Sequence, residues 1–434
     1  MLVISKRLGV IWSAVCIIAI LCGAIYWQIS QPEFGRLADF KTGYYAGGET
    51  VLHKGSAALW PLTEQGWLVN LPIVAWMFAP LALLGPWGAN LTFILLSLAA
   101  VGATLLIIAN SCPPRIRPLV FLLFVLDGPL WYSLLIGNTT HFILLLLMSA
   151  LVLWKQRWLF SAGVLVGFAA VIKPMILLFG VYFAWRRNWR VVFGGATVVG
   201  VALLSTIGVF GLEFFLGWYQ HVVVAFAGKP MGAHNVQSLD AFLLRLKTGP
   251  ELLFNFRPQI MPYALAVLRN AIVGSLIALI SWAMWRNRRP SESMASQAPQ
   301  GIDHLEFCLV LTFCVTMSTV SWTHYYLLLL LPWSLYLAGR LPLRDDRLTH
   351  GLIWGSIVLG SLPFSYPRLE VGWLASVSSR TVQSVWLFGG VLLLWALLRS
   401  ALVRPNQNLS PWLPSFLRGN DAPRISPVSV SYIP

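Results

Sequence analysis

Uncharged apolar runs of membrane-spanning length recur along this chain, and they constrain its fold more than any motif does. Stretches 9–29, 87–110, 137–154, 191–212, 324–339 and 381–398 hold no Asp, Glu, Lys or Arg. An α-helix needs about 20 apolar residues to cross the hydrocarbon core of a bilayer. Within that core every backbone polar group must find its partner inside the protein, which leaves helices or closed barrels. Barrel strands would show as short alternating segments of about ten residues; these runs are continuous. The whole chain is 58% hydrophobic and 10% charged, where a soluble protein carries roughly 25% charged residues. The reading is an all-α polytopic membrane protein with no sizeable soluble domain.

The net charge of +15 does not point to nucleic acid, because the cations form no single stripe. They sit in short links between apolar runs: Lys6-Arg7, Arg115 with Arg117, Lys155 with Arg157, Arg186-Arg187 with Arg190, Arg286 to Arg289, Arg340 to Arg347, and from Arg399 onward. That is the positive-inside pattern. Alternating the chain through these clusters predicts about twelve spans with both ends cytoplasmic. It puts 30–70, the Gly137-Asn138-Thr139-Thr140 turn, 213–260, Ser321 to His324 and Tyr366 to Arg380 on the outer side, and makes Lys173-Pro174 an outer turn or a break between two short spans. Stretch 71–85 reads as a short helix that need not cross. The first apolar run has a basic start but no small-x-small cleavage site after it, so it reads as a retained anchor. Cys16, Cys22, Cys308 and Cys314 lie in apolar runs and Cys112 in a cytoplasmic link, which forms neither an external disulfide nor a metal set. Segments 290–301 and 405 onward are Pro/Ser-rich and read as flexible. The chain thus divides into one transmembrane domain, 1–400, and a basic cytoplasmic tail, 401–434.

Two outer loops exceed the 12–15 residues above which structureless connections are uncommon unless functional or disordered. The first, 30–70, contains Asp39-Phe40-Lys41-Thr42-Gly43-Tyr44-Tyr45-Ala46-Gly47-Gly48-Glu49, which suggests a short interfacial helix. Asp39 has two readings: a helix cap, or a general base whose proton affinity rises near the membrane. The second, 213–260, carries Asn235-Val236-Gln237-Ser238 and Arg245, either a solvated loop or a polar cluster. On the same side stand Asn138 and His141 at the opening of an apolar run, and Lys173 at the end of another. Trp322-Thr323-His324-Tyr325-Tyr326 opens a third. Lys173 could simply snorkel, the aromatics could form an interfacial belt, and the His324 ring could donate to a phosphate. Asp39, Asn138, His141, Lys173, Asn235, Ser238, Arg245 and His324 therefore gather on one face.

These residues carry a resemblance. The chain is similar to the bacterial polyprenyl-phosphate-mannose-dependent mannosyltransferases of glycosyltransferase family 87, in the GT-C superfamily. The family's Asp-Phe followed by a Tyr-rich helix and glycines resembles Asp39-Phe40 through Gly48, with Gly55 after it. Its Pro-Leu run resembles Leu71-Pro72 and Ala79-Pro80-Leu81. Its Gly-Gln-x-Asn turn resembles Gly137-Asn138-Thr139-Thr140, with Asn138 in the place of Gln. Its Gly-x-x-x-Gly helix ending in Lys-Pro resembles Gly163 to Gly167 and Lys173-Pro174. Its Asn-x-Ser-Leu before Arg-Leu resembles Asn235 to Leu239 and Arg245-Leu246, one residue longer here. Its Ser-Trp-x-His turn resembles Ser321-Trp322-Thr323-His324.

The resemblance implies a GT-C fold in the bacterial inner membrane and an inverting transfer of a hexose, mannose by the family's habit. The donor would be a polyprenyl-phosphate sugar and the acceptor a lipid or glycan on the outer face. Asp39 would be the base, with Lys173, Arg245 and His324 receiving the phosphate charge and Lys41 and Lys54 behind them. Tyr44, Tyr45, Asn138, His141, Asn235, Ser238 and Tyr325 would contact substrates. The expected partners are membrane lipid, the lipid-linked donor and the acceptor, with no cofactor and no metal. Two other functions compete. A lipid-linked oligosaccharide polymerase or ligase would use Arg245 and Arg257; a secondary transporter would place its polar groups at mid-membrane in two related halves.

Overall fold

In the computed structural model, residues 36–287, 302–363 and 372–402 are described, with the backbone of 409–411. The expected first span at 9–29, Cys16, Cys22, the loop 290–301, the start of the outer turn 366–380 and most of the tail lie outside those residues.

The helices in chain order are α1 Ala46–His53, α2 Trp60–Glu64, α3 Val74–Ala82, α4 Gly85–Ser111, α5 Arg117–Leu126 and α6 Gly128–Ile136. They continue with α7 Thr140–Lys155, α8 Leu159–Ile172, α9 Leu178–Trp185, α10 Trp189–Phe210, α11 Leu212–Trp218 and α12 Leu239–Thr248. The last are α13 Tyr263–Arg286, α14 Ile302–Met317, α15 Leu330–Leu337, α16 Arg347–Gly360, α17 Gly372–Arg380 and α18 Val385–Ala401. Among the described residues, α4, α10, α13 and the joined run Gly372–Ala401 are each long and apolar enough to cross a membrane. The pair α5 and α6 makes a fifth if its 54° bend is one broken span. The break falls at Asp127, in extended geometry (φ −75, ψ 102), and Pro129, which lacks an N–H, cannot continue the hydrogen-bond ladder of α5 across it. Asp127 then caps the second half, accepting from the Leu130 N–H at 2.7 Å. α3, at 9 residues, is too short to cross.

Two features differ from the sequence expectation. The run from His324 is not one α-helix: Thr323–Leu329 is a 3-10 turn leading into α15. Every residue of α15 is buried, so this run is the interior of the bundle rather than a lipid-facing span. Trp333, Tyr326, Phe179 and Phe307 fill the same core. Within the tail, Leu409–Pro411 pairs antiparallel with Pro342–Arg344, which joins tail to loop by backbone hydrogen bonds. The first loop does form the short helix its sequence suggests: Phe40–Tyr45 is a π-helical turn continuing into α1. Gly48 is required there: a Cβ would lie 2.7 Å from the Phe78 carbonyl carbon on α3.

α8 and α10 touch backbone to backbone. A Cβ on Gly163 would collide with the Val191 carbonyl, and one on Gly194 with that of Phe160. Small residues permit such approach where no hydrophobic force separates helix from lipid. At the opposite end of α8, Pro174 forces Lys173 out of helical geometry (φ −128, ψ 93). The chain turns there, and Lys173 is left facing the bundle.

Candidate active site

Two left-handed residues build the site. Gly137 ends α6 at φ +71, and Leu37 holds φ +53 two residues before Asp39. A left-handed leucine is strained, and such strain persists only where surrounding structure enforces it. Here the Leu37 N–H donates to the Leu135 carbonyl at 2.7 Å. A Cβ on Gly137 would lie 2.7 Å from Phe40 Cβ and 3.1 Å from Leu37 Cα. The two turns thus interlock, and this contact sets Asp39 against Asn138.

Asn138 is the hub. Its Nδ2 donates to Asp39 Oδ2 at 2.6 Å. Its Oδ1 accepts from Lys173 Nζ at 3.1 Å, from Thr140 Oγ1 at 2.7 Å and from the Thr140 N–H at 3.1 Å. One side-chain amide therefore joins a carboxylate to an ammonium and caps α7 as well. The capping reading of Asp39 fails, because its side chain makes no cap hydrogen bond and accepts from Asn138 instead. Burial raises the Asp39 pKa above its usual value, against the lowering effects of Asn138 and Lys173. Burial lowers the Lys173 ammonium to about 7, with Asp39 acting in the opposite direction. Lys173 is almost wholly buried, its Nζ 4.5 Å from the centroid of the Tyr325 ring. It is not a snorkelling lysine.

Around this pair, the Tyr44 hydroxyl meets Thr139 Oγ1 at 3.0 Å, and Asn70 Nδ2 donates to the Ile172 carbonyl at 2.8 Å. The first loop is thereby stitched to the Lys173 turn. His141 Nδ1 lies 3.2 Å from Ser133 Oγ, and its Nε2 is buried without a partner. The His324 ring stacks on Trp322 at 6.4 Å, meets Tyr325 edge-on at 4.9 Å and lies 6.1 Å from Tyr132, and neither nitrogen has a hydrogen-bond partner among the described residues. Asn235 Nδ2 donates to the Tyr132 hydroxyl at 3.2 Å. The Asn235 carbonyl accepts from the Thr323 N–H at 2.8 Å, which fastens the second outer loop to the His324 turn.

The other expected residues stand apart. Ser238 caps α12, accepting from the Ala241 N–H at 3.1 Å and donating to the Thr319 carbonyl at 2.9 Å. Arg245 is fully buried. Its guanidinium donates to the carbonyls of Ala233 at 3.0 Å and Val236 at 2.8 Å, and to Ser384 Oγ at 2.8 Å. It clamps the second loop from beneath, so its charge is committed to the fold. The Tyr45 hydroxyl turns toward Glu49 at 3.5 Å, and Lys41 and Lys54 are exposed. Sequence reading missed Tyr132, Thr139 and Asn70. Tyr132-Ser133 was a visible signal, a polar pair in an apolar run just before the Gly137 turn. Among the described residues no group of three His, Cys, Asp or Glu side chains comes together.

The family model for glycosyltransferase family 87 matches residues 68–311, more than half of the chain. No curated protein and no solved structure matches it. The matched stretch holds Asn138, Lys173 and Asn235 but starts after Asp39, whose inclusion in the site rests on its hydrogen bond to Asn138.

Proposed function

The chain belongs to glycosyltransferase family 87, and from that premise we propose that it moves a hexose, mannose in the first instance, from a polyprenyl-phosphate sugar to a lipid or glycan acceptor. The reaction takes place on the outer face of a bacterial inner membrane, on a GT-C type bundle of about twelve spans. The observation that carries this reading is the Asp39–Asn138–Lys173 relay, a base and a cation held one amide apart.

In this mechanism Asp39 accepts the proton of the acceptor hydroxyl as its oxygen bonds to the anomeric carbon. The bond from that carbon to the phosphate oxygen breaks, and its electron pair stays on the phosphate. The polyprenyl phosphodiester monoanion becomes a monoester dianion. The leaving group needs charge stabilisation rather than a proton, and the Lys173 ammonium supplies it in a dry setting where such interactions are strong. The raised pKa of Asp39 suits a base operating near neutral pH, a role worth typically 10²–10⁴-fold in rate. Asn138 is a positioning residue that fixes both charges. Tyr44, Tyr132, Asn235, His324 and Tyr325 contact the sugar and its phosphate, and the polyprenyl chain lies between helices. No metal enters this scheme. The rival polymerase reading loses Arg245, which is spent on backbone carbonyls.

The test is sugar transfer in proteoliposomes with a panel of polyprenyl-phosphate sugars and lipid or glycan acceptors, comparing wild type with Asp39→Asn. Transfer by wild type and its loss in the variant support the reading. Equal transfer by both removes Asp39 from the chemistry, and no transfer from any donor by folded protein sinks the proposal.

A further inference from the structure

At the end of the bundle remote from Lys173 the chain makes the same turn twice. Trp154-Lys155-Gln156-Arg157-Trp158 follows α7 and Trp185-Arg186-Arg187-Asn188-Trp189 follows α9, each a Trp-x-x-x-Trp with a basic interior. In both, one arginine takes the left-handed conformation: Arg157 at φ +68 and Arg187 at φ +55. The hydrogen bonds repeat as well. Arg157 N–H donates to Trp154 O and Trp158 N–H to Leu153 O, while Arg187 N–H donates to Ala184 O and Asn188 N–H to Phe183 O. Glycine is the usual residue in such a helix-ending turn, so two arginines there are a departure that needs a reason. The close packing of α8 on α10 at Gly163 and Gly194 locks the two turns side by side.

Between them lies an open cavity of about 370 Å³, lined by Trp154, Trp185, Arg157, Arg186, Arg187 and Asp303 among others. Its charges do not balance. Arg186 is taken by Glu306, at 3.1 Å, and by Asp303, at 3.9 Å. Among the described residues, Arg157 and Arg187 form no ion pair, and both are exposed. The cavity thus presents two uncompensated guanidinium groups over an aromatic floor. Next in the chain to its lining residues Arg157 and Asn188 stand Trp158 and Trp189, 65% and 52% exposed, the exposure that interfacial tryptophans show at headgroup depth. α8, 14 residues long, separates it from Lys173 by about 20 Å at 1.5 Å per residue. The charge bias turns this end toward the cytoplasm.

We propose that this cavity binds the phosphate of an anionic phospholipid headgroup in the inner leaflet, a site separate from the candidate active site and independent of the reaction assigned to it. Guanidinium groups suit a phosphodiester because their paired N–H donors match its oxygens. Basic pockets between helices on the cytoplasmic side are where anionic lipids are held. The lining tryptophans, the exposed Trp158 and Trp189 beside them and the apolar helix ends favour a lipid over a soluble anion.

The full chain is reconstituted in nanodiscs of phosphatidylcholine alone and of phosphatidylcholine with phosphatidylglycerol, as wild type, R157Q/R187Q and R157K/R187K. Retained phosphatidylglycerol is read by native mass spectrometry, and melting temperature is followed in parallel. Wild type is expected to retain phosphatidylglycerol and to melt higher in its presence. R157Q/R187Q is expected to hold it about thirtyfold more weakly, roughly fivefold for each arginine lost, and to lose the melting increment. R157K/R187K falls between, keeping charge without the paired donors. Even if the glutamine variant melts lower in pure phosphatidylcholine, loss of retained lipid and of the increment supports the site. Equal retention and increment in all three proteins overturns it. So does an equal gain from inorganic phosphate in phosphatidylcholine discs, which would make the cavity a soluble-anion site.

Discussion

Removing the Asn138 amide should narrow the pH profile of transfer from both sides. Asn138 gives one hydrogen bond to the Asp39 carboxylate and receives one from the Lys173 ammonium. A hydrogen bond to a charged group nets about 1.5–3 kcal/mol, and one pKa unit is 1.36 kcal/mol. In Asn138→Ala, Asp39 therefore rises further above its already raised value. The direction follows from Asn138 acting to lower it in the wild type. The active base is the carboxylate, so the acid limb of kcat/KM moves up with it. Lys173, at about 7, loses its acceptor and falls further, so the alkaline limb moves down. With the two limbs approaching each other, the fraction carrying both charges shrinks, and the optimum falls by more than tenfold. Asn138→Gln keeps both polar groups one methylene further out and should restore most of the width. The assay is initial transfer rate in proteoliposomes across pH with a polyprenyl-phosphate sugar, with melting temperature as a control, because Thr140 loses its cap at a cost of about 1 kcal/mol. A profile that merely scales down without narrowing would refute the reasoning, since Asn138 would then act on substrate or fold and not on the two charges.

The Lys173→Met variant should lose transfer at every pH. Because the folded protein holds this proton less tightly than the unfolded chain, wild type should gain stability as pH climbs from about 7 toward 10.5; a melting series in which the variant shows the same rise would contradict this. Gly137→Ala places a methyl 2.7 Å from Phe40 Cβ and should displace Asp39, with a loss approaching 10²-fold for a shift of about 1 Å. Gly180→Ala, with nothing within 4 Å of the added atom, should leave transfer rates intact. Arg245→Met strips partners from the carbonyls of Ala233 and Val236 and from Ser384, each about 1–3 kcal/mol if left buried and unpaired. It should lower the melting temperature by many degrees while the folded fraction keeps its KM for donor. A raised KM at unchanged stability would instead return Arg245 to the substrate.

The helical, membrane-embedded architecture was legible because it depends on apolar length and on the spacing of cations, both one-dimensional properties of the chain. The site was legible in part for a related reason. Pro174 dictates a turn at Lys173, Gly137 dictates one before Asn138, and the charge pattern leads to the expectation that both turns share the side of Asp39. Sequence separation hid the rest. Whether a polar residue on that side serves substrate or fold depends on partners far along the chain: Lys173 meets Asn138 across 35 positions, and Arg245 meets Ser384 across 139. Both are buried cations beside apolar segments, and charge pattern treats them alike. The partners separate them. Arg245 spends its donors on carbonyls of its own loop and on the Ser384 hydroxyl, which fixes that loop's shape and place. Lys173 spends one on an amide whose other end holds a carboxylate. A fold has little need to bury two opposite charges joined through one side chain, because their desolvation opposes stability. A reaction that creates charge between them does have that need, and this contrast, which only the three-dimensional structure reveals, is the physical ground for reading the relay as catalytic.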